Sequence, residues 1–263
     1  MINNFVYIIT EGVLDVTFLV QILRTYYGGK VLRKRSDLPE KAALWLSSFK
    51  WPAGENITRR AVPAPAFLQF ERKNRFMGIR NAEGLSNIKK TVTADMTAFS
   101  RMQWKPEIFA IILDSDDIPP AKRFTDFISL LQEHEYPIPS DLEEIAESEK
   151  LRSGIFALPG NKQAGTLENL LLPLATHRFP SLTSAATKYV ENWLETEEAN
   201  LKDFREVRLP SGRKKAILSS MTSLLKPAKP IIASLEDQKW LPETPEICPS
   251  MKPFLYFLGS LLR

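Results

Sequence analysis

Short apolar runs alternate with segments of helical periodicity along this chain. A strand is predicted at 5–10 (FVYIIT), and the apolar positions from Gly12 to Tyr26 then recur every three or four residues, as in an amphipathic helix. A second strand is predicted at 108–113 (IFAIIL), where the continuous apolar run is typical of a parallel sheet covered on both faces. A third is predicted at 154–161 (GIFALPGN), ending in a Pro-Gly turn, with a helix from Thr166. This recurring order of strand, turn and helix predicts an α/β fold with a mostly parallel central sheet flanked by helices.

Other parts of the first two thirds of the chain are less regular. The spacing predicts a helix at 84–102 and another after Pro119 and Pro120, because proline suits the first turn of a helix. Prolines interrupt short apolar pieces between 30 and 75, so no element is predicted there. The acidic segment 141–150 is expected to be a solvated helix or loop.

The last third of the chain has a different pattern. Beyond 181 it is helical, and six prolines between 227 and 253 exclude long helices in that segment. We therefore expect a core over 1–175, in which 30–105 could be an insertion, and a mostly helical extension over 176–263 packed on that core.

Composition narrows the class of protein. With 263 residues and 44% hydrophobic content, the chain can bury a substantial core. Lys and Arg exceed Asp and Glu by 35 to 31, and the resulting charge of +4 permits a polyanionic partner without requiring one. The single cysteine, Cys248, is interpreted as an inert buried thiol in a reducing compartment. No stretch approaches the roughly 20 apolar residues of a membrane span, so we expect a soluble cytoplasmic protein with no membrane partner.

Acidic residues cluster at the ends of the predicted strands. Glu11 and Asp15 follow the first strand, Asp114 and Asp116 end the second, and Glu168 follows the third. In an extended segment alternate residues point the same way, so Asp114 and Asp116 could share one ion. Crowded carboxylates repel one another unless a cation lies between them, and hard oxygen ligands suit Mg²⁺ or Mn²⁺.

These residues carry a resemblance to a known family. EGVLD at 11–15 resembles the opening motif of the Toprim domain, and LDSDD at 113–117 resembles its DxD motif. The block GIFALPGNKQAGTLENLLL at 154–172 is similar to one in small stand-alone Toprim proteins related to the OLD nuclease family. A Lys-Ala pair that precedes a helix in those relatives has a counterpart in Lys215-Ala216. The chain departs from the pattern at Val13 and Leu14, where many Toprim sequences have a basic or small residue.

The resemblance implies a Toprim-like core and metal-dependent hydrolysis of phosphodiester bonds in DNA or RNA. In a two-ion scheme one cation activates water and the other stabilises the leaving oxygen. The implied ligands of one ion are Asp114 and Asp116, and those of the shared or second ion are Glu11, Asp15 and Glu168. Glu11 could also act as acid or base, and Lys215 would neutralise charge on the phosphate.

The resemblance also suggests partners. OLD-type Toprim domains are commonly fused to ATPases, and this chain has no P-loop motif. A separately encoded ATPase is therefore a candidate partner, with the chain as effector in defence against phage. The oligomeric state stays open, a dimer included. Three basic groups could line a groove for nucleic acid or be solvated faces: 30–35, 72–75 and the set Arg205, Arg208, Arg213, Lys214 and Lys215.

Three alternatives stay open. Each acid by itself could be a helix cap or a solvated turn residue. The segment DSDDI resembles the nucleophile motif of haloacid-dehalogenase-type phosphatases, although Ile118 stands where Thr or Val is usual and that scheme leaves Glu11 and Glu168 without a role. A third possibility is a non-catalytic Toprim-like module that binds an ATPase or a nucleic acid.

A few remaining residues are expected to be structural. His134 and His177 lack carboxylate or metal partners at a recognisable spacing. The aromatic residues Phe254, Tyr256 and Phe257 are expected to pack in the core rather than to stack on bases.

Overall fold

The computed structural model describes residues 4–49, 55–57, 65–71 and 74–263. Within these ranges the chain forms a seven-stranded sheet in the order β2-β3-β4-β1-β5-β7-β6. Its strands are β1 (Asn4–Thr10), β2 (Lys30–Val31), β3 (Ala66–Phe70), β4 (Arg75–Asn81), β5 (Ile108–Asp114), β6 (Ala146–Ser148) and β7 (Leu151–Leu158). The four central strands β4, β1, β5 and β7 are parallel, and the pairings toward both edges are antiparallel. The predicted α/β class with a mostly parallel sheet is confirmed.

The helices in the same ranges are α1 (Val13–Tyr27), α2 (Glu40–Ser47), α3 (Ile88–Arg101), α4 (Pro120–Glu133), α5 (Glu168–Arg178), α6 (Pro180–Leu194), α7 (Pro210–Leu225), α8 (Ile231–Asp237) and α9 (Lys252–Leu261). Local sequence accounts for several of their ends. Helix α1 starts after Gly12 and stops at Gly28, which adopts the left-handed conformation (φ 70°) that suits glycine. Helix α4 begins with Pro120 in its first turn, as predicted.

Both faces of the sheet are covered, which explains why the central strands are continuously apolar. In β1, Val6 and Ile8 face one hydrophobic cluster, which also contains side chains of α1 and α5–α9. Phe5 and Tyr7 alternate with them and face a second cluster, which contains side chains of α2, α3 and α4. The C-terminal helices therefore share a hydrophobic cluster with α1 and the sheet.

The predicted strands at 5–10, 108–113 and 154–161 are confirmed, the last beginning earlier, at Leu151. The helical pattern at 84–102 corresponds to a short 3-10 turn followed by α3. The α-helix that lies wholly between 227 and 253, α8, has seven residues, in agreement with the expectation from the prolines, and α9 begins at the end of this range.

Three expectations need correction or a note. The segment 141–150 is not wholly solvated, because Leu142 and Ala146 are buried and Ala146 begins the edge strand β6. Tyr256 does not pack in the core: it is 66% exposed, whereas Phe254 and Phe257 are buried. The segment 30–105 contributes β2, β3 and β4 to the sheet, and the prolines at 52 and 63 lie outside the described residues.

None of the helices in the described part of the chain combines the length and the apolar character that crossing a lipid bilayer requires.

Candidate functional site

The carboxyl ends of three neighbouring parallel strands form the candidate site. Because β5 lies between β1 and β7, the ends of these strands meet at one edge of the sheet. Glu11 directly follows β1, and Asp114 is the last residue of β5. The segment after β7 returns to this edge, where the backbone N–H of Leu167 donates to Oδ1 of Asp114 at 2.9 Å. That bond places Glu168, the first residue of α5, beside the strand ends.

Asp15 reaches the same place from the first turn of α1. Its Oδ2 accepts a hydrogen bond from the backbone N–H of Gly12 at 2.6 Å, so it caps the start of the helix. Asp15 is buried. Glu11 acts electrostatically on Asp15, which supports the expectation that the two residues lie close together. Asp15 also has a structural role, because it caps the first turn of α1.

Burial and the repulsion of neighbouring acids raise the pKa values of Asp114, Asp15 and Glu11. Burial, followed by the charges of Asp15, Glu168 and Glu11, raises the pKa of Asp114 to about 9. Burial raises the pKa of Asp15 to about 7; Glu11 and Glu168 add to the rise, and the Gly12 hydrogen bond opposes it. Burial and then the charge of Asp116 also raise the pKa of Glu11. These four acids, Glu11, Asp15, Asp114 and Glu168, therefore form one electrostatic cluster, which we call the acid cluster.

Several polar atoms around the acid cluster are buried without a hydrogen-bond partner. They include Oε2 of Glu11 and Oε2 of Glu168, and the whole of Glu168 is only 6% exposed. The hydroxyl groups of Ser115 and Thr166, which flank Asp114 and Leu167 in sequence, are buried and unpartnered too. Unpaired buried oxygen atoms cost free energy, so their accumulation at one place indicates that a polar ligand belongs there.

Asp116 is oriented differently from the prediction. The segment does not stay extended through this residue, because Asp116 adopts a left-handed conformation (φ 52°) and its N–H donates to the carbonyl of Gly165 at 2.8 Å. Its Oδ2 accepts a hydrogen bond from Arg123 at 2.9 Å. The premise that Asp114 and Asp116 point the same way from an extended strand is therefore wrong at Asp116, where pairing with Gly165 turns the chain.

Two cations lie close to the acid cluster. Arg123, which is buried in α4, pairs with Asp116 and also lowers the pKa of Glu11. Lys215 is an exposed residue within α7, and its charge lowers the pKa of Glu11 as well. Sequence analysis identified Lys215 but missed Arg123, Ser115 and Thr166. The only sequence signal for Arg123 was its place on the helix that follows the DxD motif.

The chemistry of the acid cluster fits a hard divalent cation. Its donors are carboxylate oxygens, two of which are buried and unpartnered, and the pKa of Asp114 is raised by burial first and then by the neighbouring negative charges. Across the described residues, no group of three or more His, Cys, Asp or Glu side chains is already arranged as a set of metal ligands. The donors therefore match such an ion by type and charge, without being grouped as its ligands.

Other candidate residues lie elsewhere. Asp117 is exposed. Arg75 is buried and bonds to the carbonyl of Leu262, so it does not belong to an open basic groove, and Arg72 and Lys73 lie outside the described residues. His134 and His177 are not among the residues whose charges influence the acid cluster.

Comparison with known proteins places the chain in a family. A family model described as "Protein of unknown function (DUF3226)" matches residues 6–262. The chain belongs to the DUF3226 family. A solved structure similar to this DUF3226 chain is that of hypothetical protein PH0156 from Pyrococcus horikoshii OT3, with a TM-score of 0.56 and 15% identity. The match covers 99% of this chain and 100% of that one, and it shows a shared fold. No curated protein matches the DUF3226 chain.

Proposed function

We propose that this chain is a divalent-metal-dependent nuclease that hydrolyses phosphodiester bonds in DNA or RNA. The observation that carries the proposal is the convergence of Glu11, Asp15, Asp114 and Glu168 at the carboxyl edge of the sheet, with buried carboxylate oxygens that lack partners. The resemblance to Toprim and OLD-type nucleases, carried by the motifs at 11–15, 113–117 and 154–172, supports the same reaction.

The residues that would hold Mg²⁺ or Mn²⁺ are Asp114 and Glu168, with Asp15 and Glu11 completing the negative site. When bound, such a cation neutralises the carboxylates and polarises a phosphoryl oxygen. Asp116 stays a candidate ligand on the condition that its ion pair with Arg123 breaks, because its Oδ2 accepts a hydrogen bond from Arg123 in this structure.

In this proposal Glu11 transfers protons, and Lys215 and Arg123 neutralise negative charge on the phosphodiester. Glu11 is only partly buried, and burial followed by the charge of Asp116 raises its pKa, which suits its carboxyl group to hold or accept a proton. Lys215 and Arg123 both act electrostatically on Glu11 and are therefore near enough to offset negative charge on a phosphodiester.

The proposal extends to cellular context. The chain lacks a P-loop, so we propose that control by ATP comes from a separate ATPase, as suits an effector in phage defence. The buried, unpaired thiol of Cys248 is compatible with the reducing cytoplasm.

A non-catalytic metal-binding module is the second candidate. It is favoured by the capping bond of Asp15 and by the lack, among the described residues, of a ready-made ligand group. A phosphatase that uses Asp114 as nucleophile is less well supported, because that scheme leaves Glu11 and Glu168, which act electrostatically on Asp114, without a role.

The test is a cleavage assay of the purified chain on plasmid DNA, single-stranded DNA and RNA, with Mg²⁺, Mn²⁺ or EDTA. We expect cation-dependent cleavage, and Asp114→Asn and Glu168→Gln should each reduce its rate by about a hundredfold or more. Asp117→Asn is the matched control, since Asp117 is an exposed acid of the same segment and should keep its activity within about twofold.

The outcomes separate the candidates. Cleavage that survives Asp114→Asn would refute the catalytic assignment. If the wild-type chain binds Mn²⁺ through Asp114 in calorimetry but cleaves none of the substrates, also with a cognate ATPase present, the non-catalytic module is correct. A covalent phosphate trapped on Asp114 would establish the phosphatase alternative.

A further inference from the structure

A cavity of about 660 Å³ lies at the edge of the sheet opposite the acid cluster. It is formed where α1 ends, β4 begins and α9 ends, and its lining includes Tyr26, Tyr27, Phe70, Arg75, Gly259 and Leu262. The volume is within the range of small-molecule sites in proteins. We call it the amino-edge cavity, because it lies at the amino-terminal end of β4.

A buried guanidinium group provides the polar feature of this cavity. Arg75 is only 8% exposed, and Nη1 donates to the carbonyl of Leu262 at 2.6 Å, near the end of α9. The adjacent Nε is buried and has no hydrogen-bond partner. The bond to Leu262 holds the guanidinium group of Arg75 against the end of α9. It does not satisfy Nε, and a buried N–H donor without an acceptor costs free energy, which a ligand that accepts from it would recover.

The walls of the cavity are aromatic and held in place. The hydroxyl of Tyr26 donates to the carbonyl of Pro242 at 2.7 Å, and that of Tyr27 donates to the carbonyl of Leu255 at 2.6 Å. Burial raises the pKa of Tyr26 to about 12, and burial shifts the pKa of Tyr27 in the same direction. Both hydroxyl groups therefore stay neutral and add no negative charge. Together with Phe70 they form apolar walls that are preorganised for a flat group.

The local charges favour a monoanion. At the rim, Lys30 lies 3.9 Å from Glu71 and both side chains are largely exposed, so this pair adds no net charge. Arg75 supplies a positive charge; burial and then the charge of Arg152 lower its pKa, and the charge of Glu107 opposes that shift. Because Arg152 and Glu107 have opposite signs, Arg75 is left as the cation of the cavity lining, and one carboxylate matches its guanidinium.

We propose that the amino-edge cavity binds a small aromatic carboxylate, with the carboxylate at Arg75 and the ring between the tyrosine and phenylalanine walls. The site is separate from the proposed nuclease centre. Six residue steps along β4 separate Arg75 from Asn81 at the carboxyl edge, which corresponds to about 20 Å. Helix α1 connects the two regions, with Asp15 in its first turn and Tyr26 and Tyr27 at its end.

The test is calorimetric titration of the full chain with benzoate and phenylacetate, each compared with its neutral amide. We expect the carboxylates to bind with dissociation constants in the millimolar range or below, and the amides to bind at least about tenfold more weakly. Equal binding of acid and amide, or no binding of either acid up to about 20 mM, would overturn the proposal.

Three variants locate the site. Arg75→Gln should weaken carboxylate binding about tenfold or more. Because this change also removes the bond to Leu262, Gly259→Leu is the second variant: a Cβ at Gly259 meets nothing closer than the Tyr27 hydroxyl at 3.6 Å, so the leucine can fill the cavity without displacing backbone. Gly259→Leu should abolish binding while the melting temperature is kept, and unchanged binding would place the ligand elsewhere and refute the proposal.

Asp114→Asn serves as the third variant and separates this proposal from the nuclease proposal. This variant should bind benzoate as the wild type does, because residue 114 lies at the carboxyl edge of the sheet, far from the amino-edge cavity. Carboxylate binding lost in Asp114→Asn would mean that the anion binds at the acid cluster, which would also overturn the cavity assignment. A failure of the cleavage assay leaves this outcome unaffected.

Discussion

At the scale of single residues, the acid cluster combines burial with like charge. Asp114 and Asp15 have pKa values raised to about 9 and about 7, and both are influenced by Glu11 and Glu168. Holding such groups together opposes folding in the absence of a cation.

The raised pKa values predict how the stability of the metal-free protein depends on pH. Between the ordinary value near 3.8 and the folded values of about 7 and 9, the folded state holds protons that the unfolded chain has released. The contribution of Asp15 and Asp114 to the free energy of unfolding should therefore fall as pH rises through this window. In EDTA, thermal melts of the wild type should show stability declining from pH 6 to pH 9 by several kcal/mol, since each group contributes roughly 1.4 kcal/mol per pH unit below its folded pKa.

Asp114→Asn should flatten that decline and melt higher than the wild type at pH 8 in EDTA, since asparagine carries no charge. Asp117→Asn, an exposed control, should follow the wild-type curve. Mg²⁺ should stabilise the wild type more at pH 8 than at pH 6, because binding displaces protons. A wild-type stability that rises over this range would contradict the prediction.

The ion pair between Arg123 and Asp116 gives a second prediction at this scale. Asp116→Asn keeps a residue that tolerates the left-handed conformation but removes the charge facing the buried guanidinium. We expect the free energy of unfolding to fall by about 1 kcal/mol in urea titrations. Asp126→Asn is the control, because its pair with Lys122 is on the surface and should contribute nothing measurable. Equal effects of the two variants would show that burial of Arg123 does not matter.

At the scale of elements, close packing fixes how the helices lie on the sheet. Trp45 of α2 is buried over β4, where Gly78 leaves room for its ring. The indole N–H of Trp45 donates to Asp95 of α3 at 3.1 Å, and the hydroxyl of Tyr7 in β1 donates to the same carboxylate at 2.8 Å. This buried network joins α2, α3 and β1 through one acid, which makes their relative positions specific.

Gly78→Ala tests this packing. The added Cβ would lie 2.7 Å from Cζ3 of Trp45, so the ring must move and its bond to Asp95 is disturbed. We expect a loss of about 2 kcal/mol in the free energy of unfolding and a change in the near-UV circular dichroism of tryptophan. Gly259→Ala should be neutral or slightly stabilising, because its Cβ has ordinary contacts and alanine favours a helix. An unchanged stability of Gly78→Ala would refute the argument.

At the scale of the whole molecule, the C-terminal helix is part of the hydrophobic core. Phe254 and Phe257 of α9 lie 4.9 Å and 5.1 Å from Phe156 of β7, measured between ring centroids. Gly154 of the same strand permits this approach, since a Cβ there would lie 2.9 Å from the ring of Phe257. Arg75 adds its bond to Leu262. The end of the chain is thus attached to β7, the neighbour of the edge strand β6, and to the amino-terminal end of β4.

Deletion of residues 252–263 should therefore prevent stable folding. It removes five buried side chains, Phe254, Phe257, Leu258, Leu261 and Leu262. At about 2 kcal/mol each, their burial contributes about 10 kcal/mol, comparable with the whole stability of a typical domain. Circular dichroism should show no cooperative melt for the truncated chain. Tyr256→Ala, on the exposed side of the same helix, is the control and should melt like the wild type.

The sequence pattern predicted more of the fold than of the candidate site. Apolar periodicity was enough for β1, β5, β7 and the helices that follow them, because burial on both faces leaves a continuous apolar signal. It failed between 30 and 75, where β3 is a short edge-side strand among prolines. At the site, Arg123 and the hydroxyls of Ser115 and Thr166 were missed, because their significance depends on unpaired contacts that no local pattern records.

The sequence by itself determined the α/β class, the order of strands and helices, and the presence of acids at three strand ends. These are local properties, since they depend on periodicity and on neighbours along the chain. Tertiary structure decided the rest: that Glu168 meets Asp114 through the Leu167 bond, that Asp116 turns toward Arg123, and that Arg75 is buried at the far edge. Each depends on contacts between residues distant in sequence, which form only once the strands are ordered side by side.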